Sequence, residues 1–218
     1  MKDKAHEEPR LLLVGTVHLD PAGFEGLLAL LRARAPGAIS VEVSPYAIAF
    51  RQREGDRLRG RLRSFGAPGQ ELPGGLESVY AQLGLPFEHR AAEAYAREAG
   101  IAFHLLGDSE RSRELLGLFL AEVMAEDNLA VLARRSGDDS LARQVEQERG
   151  RARRSIQSDR LMGSAERDRL AAEDARMAEA IRAVAGAGLL CHVCGWEHLA
   201  GLARRLSDLG PEVLLLRG

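Results

Sequence analysis

The sequence predicts an α/β protein built on a mostly parallel central sheet of about five strands. Helices are expected on both faces, with a long helical segment inserted before the last two strands. Three observations carry this. Five apolar runs of strand length occur, at Leu11–Val17, Ala38–Val43, Ile101–Gly107, Leu189–Gly195 and Val213–Leu216. Each is nearly continuous in apolar residues rather than alternating, as suits strands covered on both sides. Helical patterns separate most of them, which favours parallel crossovers.

The first crossover is the clearest. Asp20-Pro21 has the form of a helix start, an acidic cap followed by proline. Phe24, Leu27, Leu28 and Leu31 then recur at helical spacing, and Pro36-Gly37 closes the run. A second helix is expected from Pro45 to Phe65, and Gly66–Gly75 (GAPGQELPGG) reads as a loop or lid. A short helix and another over Phe87–Ala99 precede the third strand. From Ser109 to Ala185 no strand signal occurs, and the Ala, Leu, Arg and Glu content favours helix. Breaks are expected at Gly137-Asp138-Asp139 and Met162-Gly163-Ser164. The Ala/Leu-rich faces of this stretch (Leu115, Leu118, Phe119, Val123) exceed what one side of the sheet needs and point to a homo-oligomer contact.

With 218 residues, 45% of them hydrophobic, the chain is expected to form one domain over 1–218, with 109–185 a helical insertion within it. A formal net charge of −2 leaves no electrostatic footprint for nucleic acid. No apolar run approaches the roughly 20 residues that span a bilayer. Met1–Arg10 is polar and lacks the apolar core of a signal peptide, so a cytoplasmic protein is expected. The two cysteines, Cys191 and Cys194, share one apolar strand. There their sulfurs would point to different faces or into the core, so packing is favoured over a thiolate zinc site.

In open α/β sheets the ligand sits beyond the carboxyl ends of the strands. Here those ends read Gly15-Thr16-Val17-His18, Val41-Glu42-Val43, Gly107-Asp108 and Gly195-Trp196-Glu197-His198. Two imidazoles with one or two carboxylates suit a divalent ion such as Mn, Co or Zn, which would leave positions open for an activated water. The same set serves equally as a metal-free acid–base pair. A lone His or Glu at a strand end is also commonly a cap or a surface group. Trp196 can wall the pocket or simply pack, and Tyr46, close after Glu42, is placed to donate a hydrogen bond. His104 and His192 read as core histidines. G-x-S-x-G, P-loop and dinucleotide-binding motifs are absent from the sequence.

The segments LLLVGTVHLD, AISVEVSP and CHVCGWEHLAGLARRL resemble the signature blocks of the TraB/PrgY/GumN family, to which the Tiki proteases are related. Gly15, Thr16 and His18 match its Gly-Thr-x-His. Val41 and Glu42 match its Val-x-Glu, and Val193, Gly195, His198 and Gly201 match its closing block. Between them, PFEHRAAEAYAREAGIAFHLLGD is similar to the block with a Glu on a helix and an Asp after a strand, placing Glu88 and Asp108. The family often has Glu-Arg-Asp-x-x-Met-Ala before the last block. Asp174, Met177 and Ala178 match it, while Ala172 and Glu173 hold the Glu-Arg places; an ERDR lies upstream at Glu166–Arg169. Loss of that Arg removes a planar anion clamp.

The resemblance implies a metal-dependent hydrolase acting on a peptide or amide bond. His18, Glu42 and His198 would hold the metal, and Asp108 or Glu88 would orient the water or take its proton. The alternative is a non-catalytic regulatory protein that binds a small ligand or peptide in the same pocket.

Overall fold

The computed structural model describes residues 10–65, 71–134, 140–157 and 164–216, without side chains for 156, 157 and 164–168. Five parallel strands, β1 (Leu11–Thr16), β2 (Ala38–Val41), β3 (Ala102–Leu105), β4 (Leu190–Gly195) and β5 (Pro211–Leu215), form one sheet in the order β3-β2-β4-β1-β5. The α/β class and the five apolar runs are therefore as the sequence predicts. Around the sheet lie α1 (Gly23–Arg34), α2 (Pro45–Arg63), α3 (Gly74–Gln82), α4 (Phe87–Ala99), α5 (Ser109–Leu118), α6 (Glu126–Ala133), α7 (Leu141–Gln157), α8 (Ser164–Val184) and α9 (Leu199–Arg205).

Period-two alternation divides the core between the two faces of the sheet. Leu12, Val14, Ile39, Val41, Cys191 and Val193 face Leu27 and Leu31 of α1 and Ala91 and Tyr95 of α4. Leu11, Leu13, Leu190 and Cys194 face Met177 and Ile181 of α8 and Leu199 and Leu202 of α9. The two cysteines thus point to opposite faces, both buried. His192 is a core histidine: Ser40 Oγ lies 2.9 Å from its Nδ1 and Met177 Sδ 3.2 Å from its Nε2. Burial pushes its pKa down to about 4.

The topology fixes where a ligand belongs. The chain leaves β1 over the face of α1 and leaves β4 over the opposite face, through α9. Those two strands are neighbours, so a crevice opens between their carboxyl ends. The Ser109–Ala185 stretch consists of helices and short turns among its described residues, and its Ser112, Leu115, Leu141 and Val145 line the cavities at this crevice. α5 and α6 share a cluster with α2 and α3, α7 brings Val145 and Ala152 against Val17, and α8 covers the sheet. A further bend, unforeseen from sequence, is a π turn over Phe119–Val123. It carries Met124 N to Phe119 O at 3.0 Å and buries Met124.

Asp20 differs from its expected role. Helix α1 starts at Gly23, and Asp20 Oδ1 instead accepts from Ala22 N (2.9 Å) in the preceding turn. The Arg149 guanidinium, from α7, takes up the rest of its carboxylate, an attachment sequence spacing gives no hint of. Positions 66–70, 137–139 and 162–163, which belong to the expected lid and breaks, lie outside the described residues, as do the side chains of 166–168. No helix among the described residues is long and apolar enough to cross a membrane.

Candidate active site

Thr16 ends β1 fully buried, and two residues later His18 emerges at the rim. Its Nδ1 donates to Glu88 Oε1 at 2.8 Å. Glu88 lies in the first turn of α4, which packs beside α1 and so carries the carboxylate under β1. Thr16 Oγ1 lies 2.9 Å from the same oxygen and 3.1 Å from Cys194 O, sharing its proton between them. With Nδ1 so held, Nε2 faces outward. The ring is deep among protein atoms yet lines an open cavity, with 56% of its side-chain surface accessible. Desolvation opposes its charge, but the Glu88 bond and the fields of Glu88, Glu42 and Glu197 prevail and raise its pKa to about 9.

Glu42 follows β2, just ahead of Ser44, whose Oγ accepts from Ala47 N (3.0 Å) and caps α2 with Pro45 at its first position. Its two oxygens are both engaged. Oε2 accepts from Gly195 N at 2.7 Å and Oε1 lies 3.1 Å from His198 Nε2. The second His198 nitrogen, Nδ1, meets Asp174 Oδ1 of α8 at 2.7 Å. Burial alone would raise Glu42. The His198 bond, the fields of His198 and His18, and the Gly195 N–H outweigh it and hold the carboxyl at about 2. Burial likewise opposes a charged His198, but Asp174 and Glu42 raise it to about 10. His198 is therefore an imidazolium clamped between two carboxylates.

These groups meet over Gly195. A Cβ there would stand 2.8 Å from Glu197 Oε2, 3.0 Å from His18 Nε2 and 3.7 Å from Glu42 Oε2. The absent side chain leaves a recess ringed by an imidazole and two carboxylates. The structure thus gathers His18, Glu42, Glu88 and His198. It does not bring in the Asp108 side chain, which is exposed and caps α5 by accepting from Arg111 N at 2.9 Å. An aspartate directly before a helix is drawn to that helix's free N–H groups, so a strand-end position does not make Asp108 a site residue.

Three contributors are missed by the sequence alone. Glu197 is signalled only by its place in Gly195-Trp196-Glu197-His198. Thr16 looks like strand. Asp174 matches a motif without a role, because its partner His198 lies 24 positions away in another element. Trp196 borders the site, whereas Tyr46 turns away and stacks under the Arg113 guanidinium at 5.0 Å. His89 packs edge-on against Phe103.

Two cavities flank His18. The larger, about 710 Å³, is lined by Glu42, Ser44, Arg51, Phe87, Glu88 and Leu115 among others. The smaller, about 210 Å³, lies toward Trp196, Glu197 and Val145. Among the described residues no three His, Cys, Asp or Glu side chains form a group able to hold a metal ion. The geometry gives the reason: both His198 nitrogens are taken by carboxylates, so of the expected ligands His18 alone presents a free nitrogen to the recess.

No protein-family model matches the chain, and no match was found among curated proteins or solved structures.

Proposed function

We propose that the chain is a hydrolase of peptide or amide bonds that uses His18 and Glu197 as its acid–base pair. One observation carries this reading: His18 Nε2 and the Glu197 carboxylate face the same recess at the mouth of a cavity, while every other group around them is fixed by a partner. Glu88 and Thr16 orient His18. Asp174 and His198 orient Glu42, whose low basicity makes it a fixed negative charge beside the imidazolium. The Glu197 carboxylate stands at the recess beside His18 Nε2, and its field supports the charge on that ring.

The chemistry balances within the site. Water adds to the amide carbonyl as Glu197 takes its proton. The C–N bond breaks as His18 Nε2–H protonates the departing amine. Proton transfer from Glu197 to His18 then restores both groups.

The resemblance to the TraB/PrgY/GumN family and the Tiki proteases points instead to a divalent ion, Mn, Co or Zn. The side chains as placed do not fit a three-ligand site, so the metal-free reading stands first. The free Nε2 of His18 beside Glu42 is the observation that favours the second.

The experiment is turnover of a peptide library by purified protein, with chelator and with each ion added. Chelator-resistant turnover lost in His18→Ala and Glu197→Gln supports the proposal. Turnover abolished by chelator and restored by an ion transfers it to the metal-dependent reading. Binding without turnover leaves a regulatory pocket.

A further inference from the structure

The larger cavity contains a cation that this chemistry does not use. Ser44, Ala47 and Arg51 fall on one face of α2 at helical spacing, and all three line the cavity. Arg51 is anchored by two carbonyls: Nε donates to Gln82 O at 3.0 Å and Nη1 to Ala47 O at 3.1 Å. Nη2 has no partner, and no carboxylate pairs with this guanidinium, among the described residues. The carboxylates lining the same cavity are each already matched. Asp20 has Arg149 at 2.7 Å, Glu88 has His18, and Glu42 has His198 and the Gly195 N–H. Arg51 is held in place yet has no carboxylate partner among the described residues.

A second donor faces the cavity. Ser44 Oγ accepts from Ala47 N and lies 2.7 Å from Ser112 Oγ. Its proton goes to Ser112, whose own hydroxyl proton is then free to donate. Pro21, Leu85, Phe87 and Leu115 supply apolar wall, and Arg90, whose guanidinium lies over the Phe24 ring at 5.1 Å, borders the same cavity.

We propose that the substrate carries a carboxylate bound by Arg51, with an apolar body against Phe87 and Leu115 and its scissile bond at His18. This rests on the reading of the cavity as the hydrolase's substrate site. The Arg51 guanidinium, held in the field of Glu88, suits a singly charged group better than a phosphate dianion. Arg51 holds its edge toward the ligand because its backbone anchors fix the guanidinium plane, which a lysine would not reproduce.

The test is calorimetric titration with N-benzoylglycine and with its neutral amide, two probes of nearly equal shape. Wild type should bind the acid at least about tenfold tighter than the amide. Arg51→Gln should bind both alike, and Arg51→Lys should keep part of the preference. Equal binding of the two probes by wild type, binding of neither, or a preference that survives Arg51→Gln overturns the proposal. Should Arg51→Gln fail to fold, the acid–amide comparison in wild type, with Arg51→Lys, decides. The titration needs no turnover. A lost preference with peptides still cleaved sinks the carboxylate site alone, whereas an intact preference with no cleavage sinks the hydrolase reading alone.

Discussion

Asp174 Oδ1 lies 2.7 Å from His198 Nδ1, joining α8 to the end of β4 across a point where two helices nearly touch. Gly201 makes this possible, since a Cβ at that position would sit 1.7 Å from Asp174 Oδ2. The chain of bonds continues through His198 Nε2 to Glu42 and on to the Gly195 N–H. A helix on one face of the sheet therefore sets the orientation of a carboxylate at the site.

Gly201→Ala should break that chain. The methyl cannot coexist with the carboxylate, so α9 or Asp174 must move, costing about 1–3 kcal/mol as overpacking does. Urea unfolding measures it. A variant within about 0.5 kcal/mol of wild type would show that the Asp174–His198 contact yields freely.

Stability should depend on pH through the same pair. The folded pKa of His198 is about 10 against an ordinary 6.5, so its contribution is complete below about 6.5 and is lost as pH rises through 10. Glu42, lowered from 4.5 to about 2, contributes fully above 4.5 and loses its share as pH falls through 2. They are two sides of one ion pair and count once. Between pH 7 and 10 the slope should approach about −1.4 kcal/mol per pH unit for each proton retained by the folded state. Asp174→Asn should shift the alkaline limb toward lower pH. Thermal unfolding that is flat from pH 7 to 10 in wild type would contradict this.

His18→Ala should abolish turnover and lower stability by about 1–3 kcal/mol, because it leaves the buried Glu88 carboxylate with Thr16 as its remaining side-chain donor. Retained turnover would remove His18 from the chemistry, and a stability change within about 0.5 kcal/mol would show that Glu88 does not depend on it.

Thr16→Val removes one donor from Glu88 while preserving shape in a fully buried position. The loss is about 1 kcal/mol, or several-fold if it falls entirely on turnover. A kcat/KM indistinguishable from wild type would remove Thr16 from the positioning of His18.

Leu118, Leu120 and Val131 are exposed by 53%, 37% and 50% on α5, the π turn and α6. They lie within the stretch whose apolar faces point to self-association. Sedimentation equilibrium should find an oligomer that Leu118→Glu dissociates. A wild-type monomer at high concentration would refute the contact.

The sheet was legible because strands buried on both faces leave an unmistakable mark. The run Leu11–Val14 is unbroken apolar surface, all of it buried, and Leu190–Val193 departs from that pattern only at the core histidine His192. His18, Glu42 and His198 were legible for a related reason: polar groups directly after such strands emerge at the one edge where a parallel sheet exposes its loops. What sequence could not decide is which atoms those residues face. Asp108 and Glu88 look alike as carboxylates near the site. Yet the helix that begins after Asp108 claims its side chain, whereas the packing of α4 beside α1 delivers Glu88 to His18. Asp174, Glu197 and Arg51 gain their roles only through contacts between distant elements. Hydrophobic periodicity is a local property of the chain, but the pairing of buried charges depends on distances that exist only once the helices have packed.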